Sequence, residues 1–174
     1  LMNAGLDTGD ILLQKKVPID STETGGSLFA KLSRESGPLL LETLARLEAG
    51  TLQPVAQTGE TCYAGMIKKE DGLLHWEKPA AELERQIRAF SPWPSAFTHR
   101  SGRLLKIWQA DVLEDGSGKD AVCGLAAVRD GVGLCVQTGR GCLVIRQLQP
   151  EGKKRMQAEE YLRGYPAEEG LILQ

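Results

Sequence analysis

"GVGLCVQTGRGCLVIRQLQ", residues 131–149, decides the fold. Two runs rich in Leu, Val, Ile and Cys flank Gly139-Arg140-Gly141. Apolar and β-branched side chains suit a pleated surface, and glycines supply the backbone freedom that a tight reversal needs. The stretch predicts an antiparallel hairpin. Upstream, RLLKIWQADVL at 103–113 predicts another strand. Short strands at this spacing predict a small antiparallel barrel of OB type. Residues 76–90 predict a helix leading into it. There Leu83, Ile87 and Phe90 share one stripe, and Arg85 and Arg88 lie on the other side. The prolines of SPWP, 91–94, end that helix. Trp93, between prolines, and Trp108, in an apolar strand, read as core or hinge packing rather than as base-stacking residues. A short helix is expected around 158–162.

The front of the chain has a different texture. Residues 11–19, ILLQKKVPI, predict a partly buried strand closed by Pro18. SLFAKLSRESGPLLLETLARLEAG, 27–50, predicts a helix in which Leu28, Leu32, Leu39, Leu40, Leu44 and Leu47 recur at three and four. Gly37-Pro38 should break or kink it, and Gly50 should end it. Residues 51–70 keep no period and read as a linker. One strand and one helix do not make a parallel sheet, so the front reads as the end of a larger α/β unit. Ahead of it, AGLDTGDIL at 4–12 sets Asp7 and Asp10 before the apolar run. Taken alone, that loop is a plain surface turn.

Composition narrows the function. The chain has 174 residues, 41% hydrophobic and 25% charged, which suits one domain or a small domain plus a piece of another. No apolar run reaches the ~18 residues of a membrane span. The first residues lack the charged and apolar regions of a signal peptide. Cys62, Cys123, Cys135 and Cys142 form no C-x-x-C pair, and His75 and His99 lie far from them in sequence, which argues against zinc or another metal. The cysteines read as reduced thiols of a cytoplasmic protein.

Net charge is −2, but the charge is unevenly spread. Between 85 and 110 stand five basic residues and no acid. Between 131 and 155 stand five more, against Glu151 alone. Local field steers a polyanion more than net charge does. Candidate phosphate contacts are Arg88, Arg103, Lys106, Arg140, Lys153, Lys154 and Arg155, with Lys68 and Lys69 in the linker. The bland alternative is a solvated basic surface, and the sequence does not place these residues on one face.

Six segments in order carry a resemblance across nearly the whole chain. They are GLDTGDIL (5–12), YAGMIKKEDGLLHW (63–76), ELERQIRAFSPWPSAF (82–97), LKIWQA (105–110), VQTGRGCLVIRQLQPEGKKRM (136–156) and LRG (162–164). Together they resemble the methionyl-tRNA formyltransferases. The acidic turn alone is similar to folate-dependent formyltransferases in general. The segments around RAFSPWP and LQPEGKKRM are much more specific to the tRNA enzymes. Two positions depart from that pattern: Met66 where Lys is commoner, and Val122-Cys123-Gly124 in place of a Pro-Gly turn.

The resemblance implies an α+β chain. Residues 1–52 would be the C-terminal remnant of a Rossmann-like catalytic domain, 53–70 a linker, and 71–174 an OB-like tRNA-binding domain. It implies formyl transfer from 10-formyltetrahydrofolate to the amino group of initiator methionyl-tRNA in translation initiation. Asp7 would be the catalytic aspartate, and Asn3, Ala4 and Gly5 would line the folate pocket. The family's catalytic Asn and His have no counterpart in this sequence, so the chain alone is expected to be inactive yet able to contact tRNA. The full enzyme is expected to be a monomer, and this chain to be prone to self-association. Two other readings stand beside it. One is an amino-sugar formyltransferase whose barrel binds no tRNA. The other is a stand-alone OB-type interaction module.

Overall fold

The computed structural model describes residues 4–5, 7–59, 62–114 and 122–174. It divides into two compact units, residues 1–21 with 27–66 and residues 22–26 with 67–174.

The second unit is built on an antiparallel sheet. A single 3-10 turn, Glu70–Gly72, precedes helix α2 (Ala80–Ala89). Strands β1 (Ala96–Arg100), β2 (Arg103–Leu113), β3 (Ala126–Arg129), β4 (Gly133–Gln137), β5 (Cys142–Pro150) and β6 (Met156–Gln157) follow, then helix α3 (Ala158–Gly164). The strand order is β1-β2-β5-β4-β3, with β6 on β5. The expected hairpin around Gly139-Arg140-Gly141 is β4–β5, with Gln137 opposite Cys142. Gly139 is there for room: a Cβ on it would lie 1.9 Å from the Glu77 carbonyl oxygen.

Residues 171–174 link the two edges of the sheet. Gln174 and His99 of β1 exchange backbone hydrogen bonds of 3.0 and 2.6 Å. Leu173 N–H donates to Gly124 O, and Ala126 N–H of β3 donates to Leu171 O. One residue of each edge strand, His99 and Ala126, is thereby paired, which shortens the open edges of the sheet. Gly124 sits at φ +83°, and a Cβ there would come within 2.4 Å of the Leu173 carbonyl oxygen. Inside, Leu83 and Ile87 of α2 meet Leu105, Ile107, Val136, Leu143, Ile145 and Leu148 in one core cluster. Trp76 is buried and donates from Nε1 to Thr98 Oγ1 at 3.1 Å; Thr98 passes the link to Gln174 O at 2.8 Å.

β2 and β5 are not regular. Ile107 faces Leu148 and Gln109 faces Gln147, so Trp108 is an extra residue; Ala110 then faces Ile145, so Arg146 is extra on the other strand. Bulges of this kind bend a strand and re-aim side chains. Burial in β2 records it: Leu105, Ile107 and then Ala110 are inside, and Gln109 is exposed.

Helix α1 (Gly25–Glu48), which has no buried residue, belongs to the first unit from Ser27 onward. Gln57 Nε2 donates to Asp7 O and Gly9 O, pinning the acidic loop from below. Lys15 pairs with Glu35, and the hydrogen bond from its ammonium holds the Glu35 carboxyl below its ordinary value.

The α+β class, the antiparallel sheet, the leading helix and the short C-terminal helix are as the sequence predicts. Several details differ. Residues 11–19 are not a strand: only Ile11 pairs, with Val55, and an apolar run without a ladder has nothing to hold it extended. Helix α1 runs unbroken through Pro38; Gly37 has no Cβ to clash with the proline ring. Residue 76 is a turn and the helix starts at Ala80. Phe90 is half-buried at the end of the stripe rather than inside it. Trp93 is 59% exposed, because the reversal closed by Ser95 N–H to Phe90 O turns Pro94 and Ser95 inward instead. Trp108 is also no core residue: alternation from Leu105 and Ile107 puts it, half-buried, on the outer face of β2. Among the described residues, no helix is long and apolar enough to cross a membrane.

Candidate nucleic-acid interface

The turn after β5 creates the densest basic site. Glu151 N–H donates to Leu104 O and Lys153 N–H to Pro150 O, so residues 151–155 fold back beside the start of β2 before β6 rejoins β5. Lys153, Lys154 and Arg155 are exposed on that turn. Lys106 faces Gln149 across the ladder and lies on the same face.

Trp108 joins these parts. The Arg155 guanidinium carbon lies 3.6 Å from the indole centroid, and Lys106 Nζ lies 5.7 Å from it. Trp108 Nε1 donates to Gln149 Oε1 at 3.1 Å, and Gln149 Nε2 donates to Lys153 O at 2.8 Å. Cations over an indole face are favoured by the ring quadrupole.

Arg103 is exposed at the same end of the sheet, on the rim of a cavity of about 480 Å³ shared with Arg100, Tyr161 and Tyr165. Arg100 is committed to the fold: it donates to Tyr161 Oη, Tyr165 O and Pro166 O. Arg140 is exposed at the β4–β5 tip, the opposite end of β5. At ~3.4 Å per residue that is on the order of 25 Å from the turn. Arg88 is engaged twice over, with the Glu84 carboxylate and with the Glu23 carbonyl. Lys68 and Lys69 are exposed ahead of the 3-10 turn. The fold thus gathers Arg103, Lys106, Lys153, Lys154 and Arg155 at one end, and leaves Arg88, Arg140, Lys68 and Lys69 outside that group.

In the first unit Ala4, Gly5 and Asp7 are exposed, and Asp7 sits at φ +53°. Asn3 lies outside the described residues. An ionised carboxylate accepts hydrogen bonds and donates none. The open groove of about 410 Å³ between residues 11–14 and 51–55 does not include the Asp7 loop. Among the described residues no group of His, Cys, Asp and Glu is arranged to hold a metal.

Sequence reasoning missed Trp108 and Gln149 as members of the basic site. A signal was present: Lys106 and Trp108 are two apart, the spacing of one strand face.

Comparison with known proteins adds the following. Residues 66–166 match the family described as formyl transferase, C-terminal domain. A methionyl-tRNA formyltransferase of Lachnospira eligens is 46% identical over 99% of this chain and 56% of its own length. One of Citrifermentans bemidjiense is 42% identical over 99% of this chain and 54% of its own length. The chain spans about half the length of these curated relatives. Among solved structures, HypX from Aquifex aeolicus shares the fold at TM-score 0.61 and 20% identity, over 97% of this chain and 30% of HypX. HypX has also been solved in complex with tetrahydrofolic acid, at TM-score 0.58 and 20% identity, over 92% of this chain and 28% of HypX.

Proposed function

The chain belongs to the formyl transferase family, whose C-terminal domain it carries, and on that premise we propose that it is the C-terminal portion of a methionyl-tRNA formyltransferase. Its second unit docks the initiator tRNA. The observation that carries this is the placing of Lys106 and Arg155 on one indole, beside the turn that exposes Lys153 and Lys154, in a chain 46% identical to an enzyme of that name. Residues 71–174 are the tRNA-binding domain, 53–70 the linker, and 1–52 the end of the catalytic domain. A folate-derived formyl donor, 10-formyltetrahydrofolate, supplies the formyl group.

The chemistry assigns separate tasks. The methionyl amine attacks the formyl carbon, an oxyanion develops, and protons pass from the amine to the leaving nitrogen. Asp7 accepts and orients; Ala4 and Gly5, with Asn3, offer backbone to the folate. The catalytic Asn and His that the resemblance calls for beside the aspartate have no counterpart in this sequence, so this chain alone is expected to be inactive. Binding of initiator methionyl-tRNA across a salt series tests the docking role. Log affinity should fall linearly with log salt, and Lys153→Ala and Lys154→Ala should each flatten the slope by about one unit. No binding at low salt would overturn it, and so would formyl transfer by the chain alone for the inactivity.

A further inference from the structure

We infer that Trp108 and Gln149 are positioning residues that hold Lys106, Lys153 and Arg155 as one docking cluster for the phosphodiester backbone of a folded RNA. The inference rests on the tRNA reading above and goes one step deeper.

The indole does not serve as an open stacking platform. Arg155 lies flat enough on it to bring Cζ to 3.6 Å of the centroid. Stacking occupies a face of the guanidinium and leaves its in-plane N–H donors at the edge, where they match two phosphate oxygens. A free arginine loses side-chain freedom when it meets a phosphate; one already stacked loses less. The indole is itself fixed. Its Nε1–H donates to Gln149 Oε1, and the other end of that amide donates to Lys153 O. One glutamine therefore ties the ring to the backbone that carries Lys153, Lys154 and Arg155. Lys106 approaches the same ring from its own strand, 5.7 Å from the centroid. Among the described residues, Lys106, Lys153, Lys154 and Arg155 form no ion pair with a carboxylate, in contrast to Arg88, which is neutralised by Glu84. Alternation from the buried Leu105 and Ile107 puts the ring on the Lys106 face, and the bulge that follows exposes Gln109 and returns Ala110 to the core.

The test is a double-mutant cycle on the full chain, read as affinity for initiator methionyl-tRNA across a salt series. Trp108→Leu should weaken binding about tenfold at low salt and take about one unit from the salt slope. Arg155→Ala should do about the same. Together they should lose no more than the worse of the two alone, because the ring acts through the arginine. Trp108→Phe keeps an aromatic face but loses the Nε1–H bond to Gln149, so it should recover only to about the level of Gln149→Leu. Gln149→Leu keeps the ring and the apolar bulk of the side chain and removes only the amide link; it should weaken binding about threefold, and it carries the test if Trp108→Leu does not fold. Unchanged affinity in both Trp108→Leu and Gln149→Leu, or losses that add across the cycle, would overturn the inference while leaving the tRNA reading in place. An unaltered chain that fails to bind at low salt would remove both.

Discussion

Helix α1 runs for 24 residues and buries none of them; helix α2 runs for 10 and buries Ala80, Leu83 and Ile87. Both are amphipathic. In α1, Phe29 is 74% exposed and Leu41 70%, whereas Leu83 in α2 is 0%. The difference is not in the helices but in what covers them. α2 lies against β2 and β5, whose inward side chains interdigitate with its stripe. An apolar stripe is therefore a request for a partner, and only the sheet of the second unit answers one.

The comparison can be broken at the well-packed end first. Leu83→Ala should cost about 3 kcal/mol, since the truncated side chain leaves a cavity in a closed core. Urea unfolding followed by tryptophan fluorescence measures it; a loss below about 1 kcal/mol would mean that α2 is no better anchored than α1. Gly124→Ala should cost about 2 kcal/mol, because it places a Cβ in a left-handed conformation against the strand-like segment that closes the sheet. The same unfolding curve reads it.

At the other helix the effects should be small. Leu44→Ala on α1 should change stability by less than about 0.5 kcal/mol. Its mark should be on association: the unaltered chain is expected to gain mass with concentration in light scattering, and the variant less so. A constant monomeric mass would remove that expectation. The smallest effect belongs to Glu35. The bond from Lys15 lowers its folded pKa, so the carboxylate's contribution is present above its ordinary value of 4.5 and is lost as pH falls through the lowered one. NMR titration should find its midpoint below 4.5, moving back up toward it in Lys15→Met.

Legibility followed periodicity. The β4–β5 hairpin, the α2 stripe of Leu83 and Ile87, and the helix at Ala158–Gly164 were readable because local pattern and tertiary burial agree there. The strand expected at 11–19 was not, because a ladder depends on a second segment that no local pattern reveals. Charge was readable as composition and not as geometry. Arg88 looked like the other arginines until Glu84 and Glu23 claimed it, and Arg140 was separated from the turn by the length of β5. Trp108 escaped because a large aromatic in an apolar run reads as core, although alternation from Leu105 and Ile107 puts it on the outer face with Lys106.

That pair of bulges has an arithmetic of its own. Removing Trp108 and Arg146 together would leave Ile107 opposite Leu148, Gln109 opposite Gln147 and Ala110 opposite Ile145, an unbroken inside–outside sequence on both strands. The ladder can be spelled without either letter. Trp108 and Arg146 are surplus to the count of the sheet, and a residue the scaffold does not need is one a surface is free to use.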